Sequence, residues 1–221
     1  MNDITSIAEQ SAIAQAANLA MFYDFETSGL PLFDQPSEDP RQPHIVQLGA
    51  ALVNLDTRKT IQTIDVIVRP DGWIIPDEVS AIHGITTEMA MDLGVPESLA
   101  VEMLWSLWRG RLRIGHNEQF DARIMRIGLK RFMDQSGLEL PPSDEWKAGR
   151  AECTARMSNK HVACPPTAAM KAAGRFHNKT PKLTEAYLHF TGTPLDGAHN
   201  AMVDVEGCKT VFFAVKDLEA A

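Results

Sequence analysis

MFYDFETSGL, residues 21–30, is an apolar run that stops at Asp24, skips one residue and reaches Glu26 before a turn. From residue 19 to residue 25 it reads as a buried strand. Strand side chains alternate between faces, so Asp24 and Glu26 share one face and form an acidic edge at the strand end. A single acid there is an ordinary solvated terminus. A same-face pair directly behind Met-Phe-Tyr is a candidate site.

Downstream of this strand, residues 31–43 (PLFDQPSEDPRQP) hold four prolines and exclude extended regular structure. β-Branched and apolar residues dominate 44–55 and 60–68, which predicts two further strands with Asp56 and Thr57 in the turn between them. VPESLAVEMLWSLWRG spaces Leu99, Met103, Leu104, Leu107 and Trp108 as a helix does and stops at Gly110. RLRIGHN is a short strand with a polar end. FDARIMRIGLKRFMDQ, KLTEAYLHFTG and NAMVDVEGCKTVFFAVKDL read as three amphipathic helices. Three strands followed by alternating helices and strands predict an α/β sheet with helices packed on it. No repeat or linker divides the chain. Residues 1–18 are expected to be a flexible tail and 19–221 one domain.

The chain has 221 residues and a formal charge of −8, and hydrophobic residues make up 44% of it. Those values fit one globular core. They argue against a long grip on duplex nucleic acid, which calls for a positive balance. No run is long and apolar enough for a bilayer, and the N-terminus lacks the pattern of a signal peptide. Three cysteines without a CxxC point to a reducing, cytoplasmic setting.

Two further segments repeat the acidic strand-end pattern. IGHNEQFD runs from a strand end through His116 and Asn117, a candidate N-cap, to Asp121 early in a helix. GAHNAMVDVEG places His199 just ahead of a helix and Asp204 one turn into it. Strand ends and helix starts on one edge of an α/β sheet are where such folds carry sites. Four converging carboxylates repel, at about 4 kcal/mol per ionised pair 4 Å apart in an effective dielectric near 20. Cations relieve that repulsion. Two divalent ions balance four carboxylates, and hard oxygen donors suit Mg²⁺ or Mn²⁺. Paired ions serve in-line phosphoryl transfer. The imidazole of His199 suits proton removal from the attacking water.

Asp24-Phe-Glu26-Thr-Ser-Gly, His116-Asn-x-x-x-Asp121 and His199-x-x-x-x-Asp204 together resemble the three motifs of the DEDDh 3′→5′ exonucleases, the DnaQ-like group. AIHGIT (81–86), ECTARMS (151–157) and KLTEAYLHFTG (182–192) are similar to the segments between them. The resemblance spans about residues 21–215. It implies an RNase H-like mixed sheet flanked by helices. It makes Asp24, Glu26, Asp121 and Asp204 ligands of two Mg²⁺ or Mn²⁺ ions and His199 the general base. It also implies release of nucleoside 5′-monophosphates from a nucleic acid 3′ end, with single-stranded DNA favoured. An exoribonuclease or oligoribonuclease, or a binding subunit of a polymerase or repair complex, is the alternative reading.

The resemblance assigns Thr27 to the 3′-terminal nucleotide, Leu30 to its base, and Asn117 and Phe120 to the nucleotide pocket. Read without it, Thr27 is a turn former, Asn117 a cap and Phe120 a core residue. His83 is equally a structural histidine or a substrate contact. Lys171, Arg175, His177, Lys179 and Lys182 form the densest basic stretch and a candidate phosphate track. Cys153, His161, Cys164 and His177 match no common zinc spacing. Trp105 and Trp108 are expected in the core, and the Pro-rich insertion is expected beside the cleft or on an inert surface.

Overall fold

The computed structural model of the protein describes residues 18–134 and 137–221, so the expected tail lies, except for Asn18, outside the described residues. Strand β1 (Leu19–Thr27) sits inside a six-stranded sheet. Strands β2 (Ile45–Asn54) and β3 (Thr60–Arg69) follow it antiparallel, and β4 (Val95–Pro96) ends that side. Strands β5 (Leu112–Gly115) and β6 (Ala151–Cys153) run parallel to β1 on its other side, giving the order β4-β3-β2-β1-β5-β6. The helices are α1 (Asp77–His83), α2 (Thr87–Leu93), α3 (Glu97–Trp108), α4 (Glu118–Phe132), α5 (Pro142–Ala148), α6 (Thr154–Val162), α7 (Ala168–Ala172), α8 (Leu183–Thr191) and α9 (Ala201–Ala220).

β1 is apolar on both faces because helices cover both. Met21, Tyr23 and Phe25 face the larger core, with Leu104 and Trp108 of α3, Ile124 and Ile127 of α4, and Trp146 of α5. Ala20 and Phe22 face Val205, Cys208 and Phe212 of α9. Phe22 and Phe212 meet edge to face at 5.3 Å. By strand alternation Asp24 and Glu26 continue the Phe22 face, so they emerge where α9 begins.

The expected long elements form with ends displaced by a few residues. Periodicity did not reveal the short helices α1, α2, α5, α6 and α7, or the three-residue strand β6. These are too brief to show a period, and their shape comes from what they pack against. In α3 the expected Leu99 is exposed. The buried stripe is Ala100, Val101, Leu104, Leu107 and Trp108. Trp108 is core, as expected, with Trp105 packed against it. The Pro-rich insertion is a set of turns tied by buried Gln42, whose amide binds Leu32 O and Pro36 O and accepts from Leu32 N, all within 3.0 Å.

Candidate active site

The acidic edge is assembled by three approaches. β1 delivers Asp24 and Glu26. β5 ends at Gly115, and the chain turns through His116 and Asn117 into α4, whose first turn carries Asp121. The Phe25 N–H donates to Asp121 Oδ1 at 3.2 Å, fixing α4 against the end of β1. α9 then brings Asp204 over the same edge.

The third approach depends on Gly49. It lies opposite Asp24 in the β1–β2 register. A Cβ at Gly49 would come within 2.5 Å of the Ala201 carbonyl carbon, so only glycine lets the start of α9 settle here. Gln47 adds a tether: its Oε1 accepts from Ala201 N at 3.1 Å, while its Nε2 donates to Asp65 at 2.9 Å. Asn200 caps α9 by accepting from Met202 N and Val203 N, both at 3.2 Å. His199 precedes it in a left-handed conformation (φ 69°), and its N–H donates to Asp204 Oδ2 at 3.2 Å.

The four carboxylates share one field. Burial raises Asp24 well above the usual carboxylate range, and Asp121, Asp204 and Glu26 raise it further. Glu26 is pushed to about 7 by burial and by Asp204. Burial raises Asp121, against the Phe25 hydrogen bond. Burial raises Asp204 too, against its bond from His199. Glu26, His199 and Asp204 offer donor atoms all within 4.8 Å of one another. Asp204 Oδ1 is buried with no partner among the described residues. An orphaned buried carboxylate oxygen in a cluster of acids fits a hard divalent cation.

His83 lies near His199. Its Nδ1 accepts from Ile85 N at 3.1 Å, while its Nε2 is buried and unpartnered among the described residues. Burial and the nearby His199 both lower its pKa. Thr27 is buried and donates to Gly29 O at 2.8 Å, a turn role, and Leu30 is 76% exposed. Phe120 packs on the larger core. Asn117 corrects an expectation. It occupies the N-cap position of α4 but is left-handed at φ 69°, and its side chain makes no capping bond. Asn tolerates that conformation, so its part is to turn the backbone. The zinc set at Cys153, His161, Cys164 and His177 does not come together; among the described residues Glu26, His199 and Asp204 form the metal-competent group.

Sequence reasoning missed Gly49, Gln47 and Thr154. His116 Nδ1 meets Thr154 Oγ1 and its Nε2 meets the Pro181 carbonyl, each at 3.0 Å, which joins the end of β5 to α6 and to the segment before α8. A lone glycine inside an apolar strand was the available signal for a close backbone approach. Behind the site, Glu118 is buried and held by Tyr23 Oη at 2.9 Å and Arg113 Nε at 2.7 Å.

A family model described as exonuclease matches residues 21–212. This chain belongs to the DnaQ-like exonuclease family. Among curated relatives, the DNA polymerase III PolC-type protein of Thermotoga maritima is 28% identical over 130 residues, 59% of this chain and 8% of that one. The protein of the same description from Thermotoga petrophila is 30% identical over 110 residues, 50% of this chain and 7% of that one. The chain thus spans under a tenth of these relatives. Solved exonuclease I structures share the fold. The zinc-bound E. coli exonuclease I–ssDNA complex superposes with a TM-score of 0.68 at 17% identity, over 92% of this chain and 41% of that one. The Methylocaldum szegediense exonuclease I superposes with a TM-score of 0.67 at 22% identity, over 91% and 41%. The expected RNase H-like mixed sheet flanked by helices is the fold of this chain.

Proposed function

We propose that this exonuclease is metal-dependent, works 3′→5′ and releases nucleoside 5′-monophosphates, with single-stranded DNA as its preferred substrate. The observation that carries this reading is the convergence of Asp24, Glu26, Asp121 and Asp204, with an orphaned Asp204 oxygen, beside exposed His199. Divalent cations bound there, two for four carboxylates, would neutralise the cluster and supply activation of water and stabilisation of the leaving oxygen. Asp24, Glu26, Asp121 and Asp204 would hold them. His199, the exposed member of the cluster, takes the proton of the attacking water. His83 keeps its free Nε2 for a polar group of the substrate, and Leu30 packs on the terminal base.

Lys171, Arg175, His177 and Lys182 are exposed, and Phe176 among them is 73% exposed. Their segment is pinned beside the site by the His116–Pro181 bond. Cations interleaved with an aromatic suit a single strand. Lys179 instead pairs with Glu185. DNA is favoured by the solved E. coli exonuclease I complex with a dT13 oligonucleotide and by the polymerase III relatives, which also suggest a replicative partner.

The test is degradation of matched 5′-labelled single-stranded DNA, duplex DNA and RNA with Mg²⁺ or Mn²⁺, with Asp204→Ala as control. Stepwise shortening of the single-stranded DNA from its 3′ end, with mononucleotide products, is expected. Faster decay of RNA would assign an exoribonuclease instead, and turnover by Asp204→Ala within tenfold of wild type would overturn the metal site.

A further inference from the structure

A second groove lies outside the carboxylate cluster. It has a volume of about 440 Å³ and is lined by Phe33 of the Pro-rich insertion, Gln119, Arg123 and Arg126 of α4, and Trp146 and Lys147 of α5, with Arg113 and Glu118 at its base. Its outer cations have no ion-pair partner among the described residues. Glu118 is already held by Arg113 and Tyr23. Arg123, Arg126 and Lys147 make no ion pair with a described residue, and the Arg123 Nε is buried without a partner there. Burial and Arg126 both press on the charge of Arg123, with Glu38 as the weaker counterweight. The arginines instead hold the insertion in place. Arg123 donates to Gln35 O, and Arg126 Nε donates to Ser37 Oγ at 3.0 Å. Phe33 is 68% exposed at the rim.

Cations without counter-ions around an exposed aromatic ring fit a phosphate-and-base ligand. The chain itself links the groove to the site. The insertion starts four residues after Thr27, and two exposed apolar residues, Leu30 just before it and Phe33 within it, lie on the stretch that runs from Glu26 to the groove rim. Three extended residues span at most about 10 Å. That is about three stacked nucleotides at about 3.4 Å each. We propose that the groove binds single-stranded nucleic acid some four nucleotides before its 3′ end, with Arg126 and Lys147 on backbone phosphates and Phe33 stacked on a base. This rests on the exonuclease reading above. It gives the Pro-rich insertion a role: α4 carries Asp121 on one face and the insertion-built strand guide on the other.

The experiment compares fluorescence-anisotropy affinities of the full chain for hydrolysis-resistant phosphorothioate DNA of 3 and 12 nucleotides, at several salt concentrations. Wild type should bind the 12-mer at least about tenfold more tightly than the 3-mer. Lys147→Gln and Phe33→Ala, both at exposed side chains, should each cut that ratio about threefold or more. Lys147→Gln should also flatten the salt dependence for the 12-mer by about 0.7 in log–log slope, the share of one single-strand phosphate. An unchanged ratio, or equal losses at both lengths, would overturn the proposal. So would an acidic, phenylalanine-containing peptide that binds wild type but not Lys147→Gln while oligonucleotide affinity stays constant, since the groove would then serve a protein partner. Failure of the wild type to hydrolyse an unmodified 3-mer would count against the exonuclease reading alone, because the length ratio is measured without turnover.

Discussion

Glu26 titrates near 7 in the fold and near 4.5 when unfolded, through burial and Asp204. Between those values the folded chain binds more protons than the unfolded one. The stability tied to this group is therefore fully present below about pH 4.5 and lost as pH rises through 7. His83 and His116, lowered by burial, act the other way and favour the fold as pH rises. The difference between wild type and Glu26→Gln isolates the carboxylate. In chelator, the melting temperature of wild type should fall relative to Glu26→Gln between pH 5 and pH 7.5; parallel profiles would show that burial and Asp204 do not raise Glu26. His199→Ala should lower turnover roughly 10²–10⁴-fold, the usual worth of a positioned proton acceptor. Its Mn²⁺ affinity should change far less. Loss of Mn²⁺ binding by calorimetry would make His199 a ligand, a role its closeness to Glu26 and Asp204 allows.

The start of α9 is positioned by a close backbone approach as well as by side-chain packing. A Cβ on Gly49 meets the backbone of Ala201 and Met202, at 2.5–2.7 Å, and backbone cannot swing aside. Gly49→Ala should thus shift the helix start that carries His199 and Asp204. We expect about 1–3 kcal/mol lost, the usual cost of overpacking, and more than tenfold lower nuclease activity. Asn200→Ala is the comparison: loss of the cap costs about 1 kcal/mol without forcing the helix off the strand. If Gly49→Ala matched Asn200→Ala in both stability and activity, the close approach would have no functional weight.

Across the whole molecule, a chain of net charge −8 holds four acids together at one sheet edge. Ions that bind the folded site and not the unfolded chain add about 2.7 kcal/mol at a hundredfold excess over their dissociation constant. For a domain of this size that corresponds to roughly 5–10 °C. Mn²⁺ or Mg²⁺ should raise the melting temperature by that order, and chelation should reverse it. Asp121→Asn removes one charge and keeps an oxygen for the Phe25 N–H. Without metal it should melt at or above wild type, and its metal-induced shift should be smaller. Equal shifts in the two proteins would exclude Asp121 as a ligand.

The candidate site was legible because its residues stand at sequence positions whose geometry is local. Asp24 and Glu26 share a face by strand alternation, and Asp121 and Asp204 each fall in the first turn of a helix that announces itself by its period. Composition and periodicity likewise determined the β1–β3 run, α3, α4, α8 and α9. What the tertiary structure alone decided depends on contacts far apart in the chain. The turn into α4 rests on a left-handed Asn117 and on His116 bonded to Thr154 and Pro181, not on the expected cap. The approach of α9 rests on a glycine whose importance shows only when Ala201 lies over it. The short helices and β6 have no period to read, and the groove under Phe33 exists because Arg123 and Arg126 reach residues nearly ninety positions away. Local spacing encodes which side chains can act; how closely two distant backbones approach is settled only by packing, because excluded volume between them has no signature in either segment by itself.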